Sequence, residues 1–324
     1  MIHDGRDPAA VAQAARRLAD GALVAFPTET VYGLGARADV DAAVAAIFAA
    51  KGRPPDHPLI VHLATPAGAA QFANAIPAVA ERLIDAFWPG PLTLILPRRH
   101  DVATAAAGRH ASIGLRCPAH PVAQALLQAA EALGVPGVAA PSANRFGRIS
   151  PTRASHVQDE FGADMFVLDG GECELGIESA IVDCTRARPV LLRPGALTRA
   201  QIEAAAGETL HSRDDDAIPA PGTLAAHYAP RARLRLMSTA DLRAALPLLG
   251  EDAKRVAVYS RTALAPPGPL VRRMPASAVA AGHELFAALR ELDATRARLI
   301  WVERPPDAPE WEGVRDRLER AAAA

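Results

Sequence analysis

Phe26–Ala36 reads FPTETVYGLGA, and the fold turns on how that stretch is parsed. An apolar run, Ala22–Pro27, leads straight into Thr28, Glu29, Thr30 and Tyr32, after which come Gly33 and Gly35. Open α/β sheets place their ligands at the carboxyl ends of strands, and polar groups collect there. An ordinary strand exit closed by a glycine turn fits the same spacing, because hydroxyl residues are common in loops. Gly33–Ala38 also satisfies G-x-G-x-x-A. The first glycine stands well beyond the strand end, however, and no tight strand-turn-helix results, so a dinucleotide site is the weaker reading.

Outward from this point the chain alternates between strands and helices. Upstream, Asp7 as N-cap, Pro8 at the first helical position, an Ala-rich body to Asp20 and Gly21 as terminator predict a helix. Downstream, a helix over 39–50 precedes strands at 59–64, 92–97, 112–117, 138–140, 167–169, 180–184 and 190–193, and a helix over 198–206 closes the region. Several of these strands are apolar on both faces, which predicts an α/β sheet covered on both sides. Hydrophobic residues make up 50% of the chain and aromatics only 4%, so the core is expected to be Ala, Val, Leu and Ile. A length of 324 residues suits two domains. The first spans 1–208. Residues 209–231 combine an acidic run with Pro219, Pro221 and Pro230 and read as an irregular linker. Strands at 233–237, 256–259 and 299–302, with helices at 240–249 and 283–292, predict a small Rossmann-like domain over 232–324. The terminal alanine run reads as a frayed helix end.

With 35 basic and 36 acidic residues there is no global field to hold nucleic acid, so stable tRNA binding is not indicated. Cys117, Cys173 and Cys184 are too widely spaced for a zinc site or disulfide framework. The first ten residues, MIHDGRDPAA, lack a signal peptide's basic and apolar regions, and no apolar stretch is long enough to span a bilayer. A cytoplasmic, membrane-free protein is expected. Lys51 and Arg53 stand one residue apart where a helix breaks at Gly52 and Pro54. They could converge on a polyanion such as a triphosphate, or simply complement a helix C-terminus. His62 lies inside an apolar strand, where a hydrogen-bonded core histidine is the usual case, and His57 is ambiguous. Arg116 and Arg193 each interrupt an apolar strand and need anionic partners, supplied either by an internal acid or by a carboxylate or phosphate ligand. Ser142, Asn144 and Ser150 form a polar loop, and Ser179 enters another strand. No P-loop, H-E-x-x-H or obvious nucleophilic triad is present.

Taken in order, FPTETVYGLG, the K-x-R of Lys51 and Arg53, PLIVH, WPGPLT, the S-x-N of Ser142 and Asn144, GIES and LLRPG resemble the YrdC-like threonylcarbamoyl-AMP synthases over about residues 8–208. PGTLAAHYAP, Pro221 to Pro230, and the domain after it resemble the longer, two-domain form of that family. The resemblance implies a twisted open sheet with a large concave cavity. It also implies a reaction joining L-threonine, bicarbonate and ATP with release of pyrophosphate, the product passing to a tRNA threonylcarbamoyl transferase. Carried over position by position, Thr30, His62, Arg116, Ala140 and Ser179 would surround threonine. Arg53, His57, Ser112, Ser142, Ser150, Arg193 and Tyr228 would contact ATP, with Lys51, Arg53 and Asn144 acting at the phosphates. Mg2+ would arrive with the triphosphate and take no side-chain ligands. His57 stands where some relatives carry Asn, and Ala180 where Thr is frequent. Tyr228 would cover the nucleotide as part of a lid formed by the linker. The competing classes are a double-stranded RNA-binding module, which the neutral charge balance disfavours, and the YrdC-like carbamoyl-transfer domain of hydrogenase maturation, whose zinc-finger and acylphosphatase parts have no counterpart in the sequence.

Overall fold

A computed structural model describes residues 1–214, 216–262 and 270–324. They form two bodies, Met1–Phe146 with Ser150–Thr223, and Gly147–Ile149 with Leu224–Ala324. The strands of the first are β1 Ile2–Asp4, β2 Val24–Phe26, β3 Gly33–Arg37, β4 Ile60–His62, β5 Leu92–Pro97, β6 Ser112–Arg116, β7 Val138–Ala139, β8 Val167–Asp169, β9 Ala180–Asp183, β10 Val190–Arg193 and β11 His211–Ser212. Its helices are α1 Pro8–Ala19, α2 Asp41–Lys51, α3 Ala69–Phe72, α4 Ala78–Phe87, α5 Pro121–Ala132, α6 Ala154–Phe161 and α7 Arg199–Ala206. The strands make one mixed sheet in the order β1-β8-β2-β3-β7-β4-β6-β5-β9-β10-β11.

FPTETVYGLGA turns out to be a hairpin. Residues Gly33 and Gly35, expected in a turn, lie in β3, antiparallel to β2 with Val24 opposite Gly35 and Phe26 opposite Gly33. The glycines are steric requirements of that pairing: a Cβ on Gly35 would come within 2.8 Å of the Phe26 ring and of Val138.

Alternation along the strands builds two faces. Ala25, Val61, Leu94, Leu115, Val182 and Leu191 point into the main core with α2, α4 and α7. On the opposite face Val24 and Phe26 meet α1 and α5. Both of these helices are capped by a side chain, α1 by the expected aspartate and α5 by a histidine. Asp7 accepts from Ala9 N, His120 accepts from Val122 N, and Pro8 and Pro121 open the first turns. Further along that face, among the described residues, Ile60, Ile95, Ile181, Val190 and Leu192 pack with Ala217, Ile218 and Ala220 instead of with a helix. The expected linker is therefore corrected in two ways. It holds the short strand β11, paired in parallel with β10. Its residues up to Thr223 also belong to the first body, because an apolar sheet face needs a lid of apolar side chains and Ile218 with its neighbouring alanines supplies one.

The second body has strands β12 Arg233–Met237, β13 Val256–Ser260, β14 Leu270–Arg273 and β15 Leu299–Glu303 with helices α8 Thr239–Ala245, α9 Ala278–Ala294 and α10 Glu312–Ala322. All four strands are parallel in the order β12-β15-β13-β14. With β15 between β12 and β13, the order departs from the sequential winding of a Rossmann half. β14 and α10 were not anticipated, and Ala321 and Ala322 of the terminal alanine run complete α10. Glu303, at the carboxyl end of β15, accepts from Ser260 Oγ (2.5 Å), Thr239 Oγ1 (2.7 Å), Arg261 N (2.8 Å), Thr262 N (2.9 Å) and Thr262 Oγ1 (2.9 Å). Burial would raise its pKa, but these donors outweigh burial and bring it down to about 2. Gly147–Ile149 belong here too: Gly147 O accepts from Ala229 N at 2.8 Å, and Arg148 lies 3.5 Å from Asp293.

Candidate functional site

β4 and β6 run parallel with His62 in register with Arg116, so both side chains emerge at the carboxyl ends of neighbouring strands. They share a face because the alternate residues, Val61 and Leu115, point into the main core. Thr93 of β5 and Ser179, just before β9, join them on that face and bond to each other, Oγ1 to Oγ, at 2.8 Å. From the hairpin loop comes Thr30, whose Oγ1 accepts from Arg116 Nη1 at 2.8 Å and bonds Thr28 Oγ1 at 2.8 Å. Four of the five expected threonine residues thus gather at one place. The fifth, Ala140, is adjacent in the fold but uses its own N–H on Ile60 O at 2.9 Å.

Arg116 is buried and finds its counter-charge inside the protein: Nη2 lies 2.7 Å from Glu29 Oε1, with side-chain exposures of 4% and 7%. The pair is close enough for strong attraction yet poorly aligned, and neither Glu29 oxygen has a hydrogen-bond donor among the described residues. Of the two partners left open for the buried arginines, an internal acid is the one that Arg116 meets. Burial first, and then the Arg116 charge, bring the His62 pKa down to about 3, so this imidazole is neutral at physiological pH.

Arg193 of β10 donates through Nε (3.1 Å) and Nη2 (2.8 Å) to Ser179 O and through Nη1 (2.9 Å) to Pro221 O. It ties the GIES segment to the strap that covers Ile60 and Ile181. Gly195 lets the two chains meet, since a Cβ there would stand 2.9 Å from Ser179 C and clash with Ala180 N. Beneath the strap, Ser112, Thr93 and His110 face Pro219 and Pro221.

Lys51 ends α2 and is buried. Its Nζ donates to Ser142 O at 2.5 Å and to Asn144 O. Burial and the Arg53 charge hold its ammonium pKa well below the usual lysine value. Arg53 donates to Pro58 O at 2.9 Å and lies over the Phe146 ring at 5.8 Å, which His57 also approaches at 5.5 Å. Burial and Arg53 lower the His57 pKa as well. The K-x-R, the S-x-N loop and His57 are one cluster. Gly52, at φ +63°, is the left-handed cap of α2, while Lys51 and Arg53 donate to carbonyls outside that helix. Ser150 Oγ donates to Glu178 Oε1. Tyr228 lies in the second body, buried, at φ 62°, with its ring 5.4 Å from Phe286 and beneath Arg317.

Sequence reasoning named Glu29 only as one of the polar groups at the strand end, without a role, and gave none to Glu178, Thr93 and Gly195. The first two carried only a weak signal, an acid set among hydroxyl residues beside an apolar run, as in PTETVY and GIESAIV. Thr93 and Gly195 act through contacts distant in sequence and carried none.

Residues 16–195 match the Sua5/YciO/YrdC family, described as "Telomere recombination", and residues 197–323 match the "Threonylcarbamoyl-AMP synthase, C-terminal domain". The chain is 38% identical to the threonylcarbamoyl-AMP synthase of Pyrococcus abyssi over 95% of its length and 93% of the relative's. It is 39% identical to that of Bacillus subtilis over 96% and 92%. A crystal structure of P. abyssi Sua5 complexed with L-threonine superposes with a TM-score of 0.89 at 36% identity, covering 98% of this chain and 95% of that one.

Proposed function

Because the chain belongs to the threonylcarbamoyl-AMP synthase family, we propose that it joins L-threonine, bicarbonate and ATP into threonylcarbamoyl-AMP, releasing pyrophosphate. The observation that carries this reading is the convergence of Thr30, His62, Arg116 and Ser179 on one sheet face, in a chain matched along almost its whole length by synthases.

Threonine's carboxylate goes to Arg116, whose fork suits it bidentately, and neutral His62 and Ser179 offer hydrogen bonds beside it. ATP lies towards Arg53, His57, Ser112, Ser142, Ser150 and Arg193, with Mg2+ entering as part of the nucleotide substrate. Lys51 fixes the Ser142–Asn144 backbone and contributes charge at the phosphates. The carbamate oxygen attacks the α-phosphorus and pyrophosphate leaves. Crowding anionic reactants costs Coulomb energy that these cations offset. The strap at Ala217–Pro221 closes over Ser112 and Thr93 and excludes water from a labile carbamate and adenylate. The product's acyl group serves the threonylcarbamoyl modification of tRNA, handed to a separate transferase. No helix among the described residues is long and apolar enough to cross a membrane.

Incubation with labelled threonine, bicarbonate and ATP is the direct test. Pyrophosphate and a labelled threonylcarbamoyl adenylate are expected, and their absence from folded protein refutes the reading.

A further inference from the structure

We propose that Glu29 receives the substrate's α-ammonium and takes its proton when the nitrogen becomes a nucleophile. The inference rests on the threonine reading above and adds a residue to it.

Other buried acids of this protein show what Glu29 lacks. Glu303 collects five donors at 2.5–2.9 Å. Asp183 accepts from Thr185 N (2.9 Å) and Oγ1 (2.6 Å), and Glu178 accepts from Ser150. Glu29 is 5% exposed, and its oxygens have no hydrogen-bond donor among the described residues. Leaving a buried carboxylate without donors is expensive, so a site that does so is shaped for something that brings them. A zwitterionic amino acid brings three N–H donors on its ammonium.

Charge balance points the same way. Without substrate, Glu29 and Arg116 neutralise each other at 2.7 Å. When an amino acid enters between them, its carboxylate takes Arg116 and its ammonium takes Glu29. Opposite charges then alternate along the row, and no net charge is buried. The other titratable groups around Glu29 leave it this role. The Cys117 and Cys173 thiols are kept protonated by burial, and burial holds His120 neutral by lowering its pKa. His62, with a pKa of about 3, is a weak proton acceptor.

In the step itself one N–H bond breaks and the proton goes to a Glu29 oxygen, leaving the electron pair on nitrogen. That pair forms the N–C bond to carbon dioxide drawn from bicarbonate, the C=O π pair moves onto oxygen, and a second nitrogen proton leaves to solvent. Overall, ammonium and bicarbonate give carbamate, one water and one proton, and Glu29 returns its proton to solvent on product release.

The test compares wild type, Glu29→Gln and Glu29→Asp by calorimetry with L-threonine and with 3-hydroxybutyrate, which lacks the amine, alongside pyrophosphate release as a function of pH. If wild type fails to bind threonine, the synthase reading fails, and with it the premise. Given wild-type binding, Glu29→Gln should weaken threonine at least tenfold while leaving 3-hydroxybutyrate unchanged or tighter, because Arg116 is freed. Its turnover should recover as rising pH delivers threonine already as the free amine. Equal weakening of both ligands, or wild-type threonine affinity, overturns the proposal and leaves Glu29 a support for Arg116. Should Glu29→Gln not fold, Glu29→Asp must show the same split in smaller measure, and equal losses on both ligands overturn the proposal there too.

Discussion

Removing Arg116 strands an acid. Arg116→Ala leaves Glu29 buried without its counter-charge, a change on the scale of about 3–5 kcal/mol in stability. Threonine binding should fall by about 2–5 kcal/mol in the fraction that folds. Adding Glu29→Gln should restore much of the stability and none of the binding, which urea titration and calorimetry together would separate. If the double variant is no more stable than Arg116→Ala, the two groups are not coupled. His62 makes a second prediction. Its folded pKa of about 3 lies below the ordinary 6.5, so the unfolded chain binds the proton first. The stabilising contribution is complete above pH 6.5 and is lost as pH falls from there towards 3. His62→Gln should flatten that part of the stability curve, and an unchanged slope between pH 6.5 and 4.5 would contradict the assignment. Arg116 was recognisable in SIGLRCP as a charge in an apolar strand. That Glu29 is its partner was not, because a pairing between the β2–β3 loop and the distant strand β6 leaves no mark in local spacing.

At the scale of elements, the strap and the LLRPG turn make separate predictions. Ile218→Ser places a hydroxyl over Ile60, Ile95 and Ile181 and should destabilise the first body by about 1–3 kcal/mol, measurable by denaturant unfolding. A passive tether would show no change. Gly195→Ala pushes on the Ser179–Ala180 backbone, so synthesis should drop several-fold, mainly through threonine affinity, with smaller effects on ATP. Equal losses for both substrates would instead indicate general misfolding. Regular elements were the legible part of this sequence: β5 and β8 have the bounds that their apolar runs suggest, and α1 starts at the expected cap. β3 escaped because its glycines answer to the Phe26 ring, and glycine in a strand looks like a turn until its neighbour is known. The strap escaped for the opposite reason. Three prolines signal irregular backbone, and irregular backbone can still be packed.

For the molecule as a whole, acid should act on the two bodies over different ranges. Glu303, with a folded pKa of about 2 against an ordinary 4.5, contributes stability that is complete above pH 4.5 and is lost as pH falls towards 2. His62 begins to cost the first body below pH 6.5. Hydrogen exchange at pH 5 should therefore show β4 and β6 losing protection while β13 and β15 keep theirs, and simultaneous loss would contradict this ordering. Two domains were legible from length and from the prolines after 209. Where one ends and the next begins was not, because the division follows contacts and places Gly147–Ile149, between Asn144 and Ser150, with the later residues. A gene ending near codon 208 would encode those three residues without Ala229, Arg290 or Asp293, which hold them. Deleting the second body alone would strip these partners from 147–149, so a one-body descendant is expected to carry a rebuilt 147–149 segment as well, a pair of changes at two distant places in the gene.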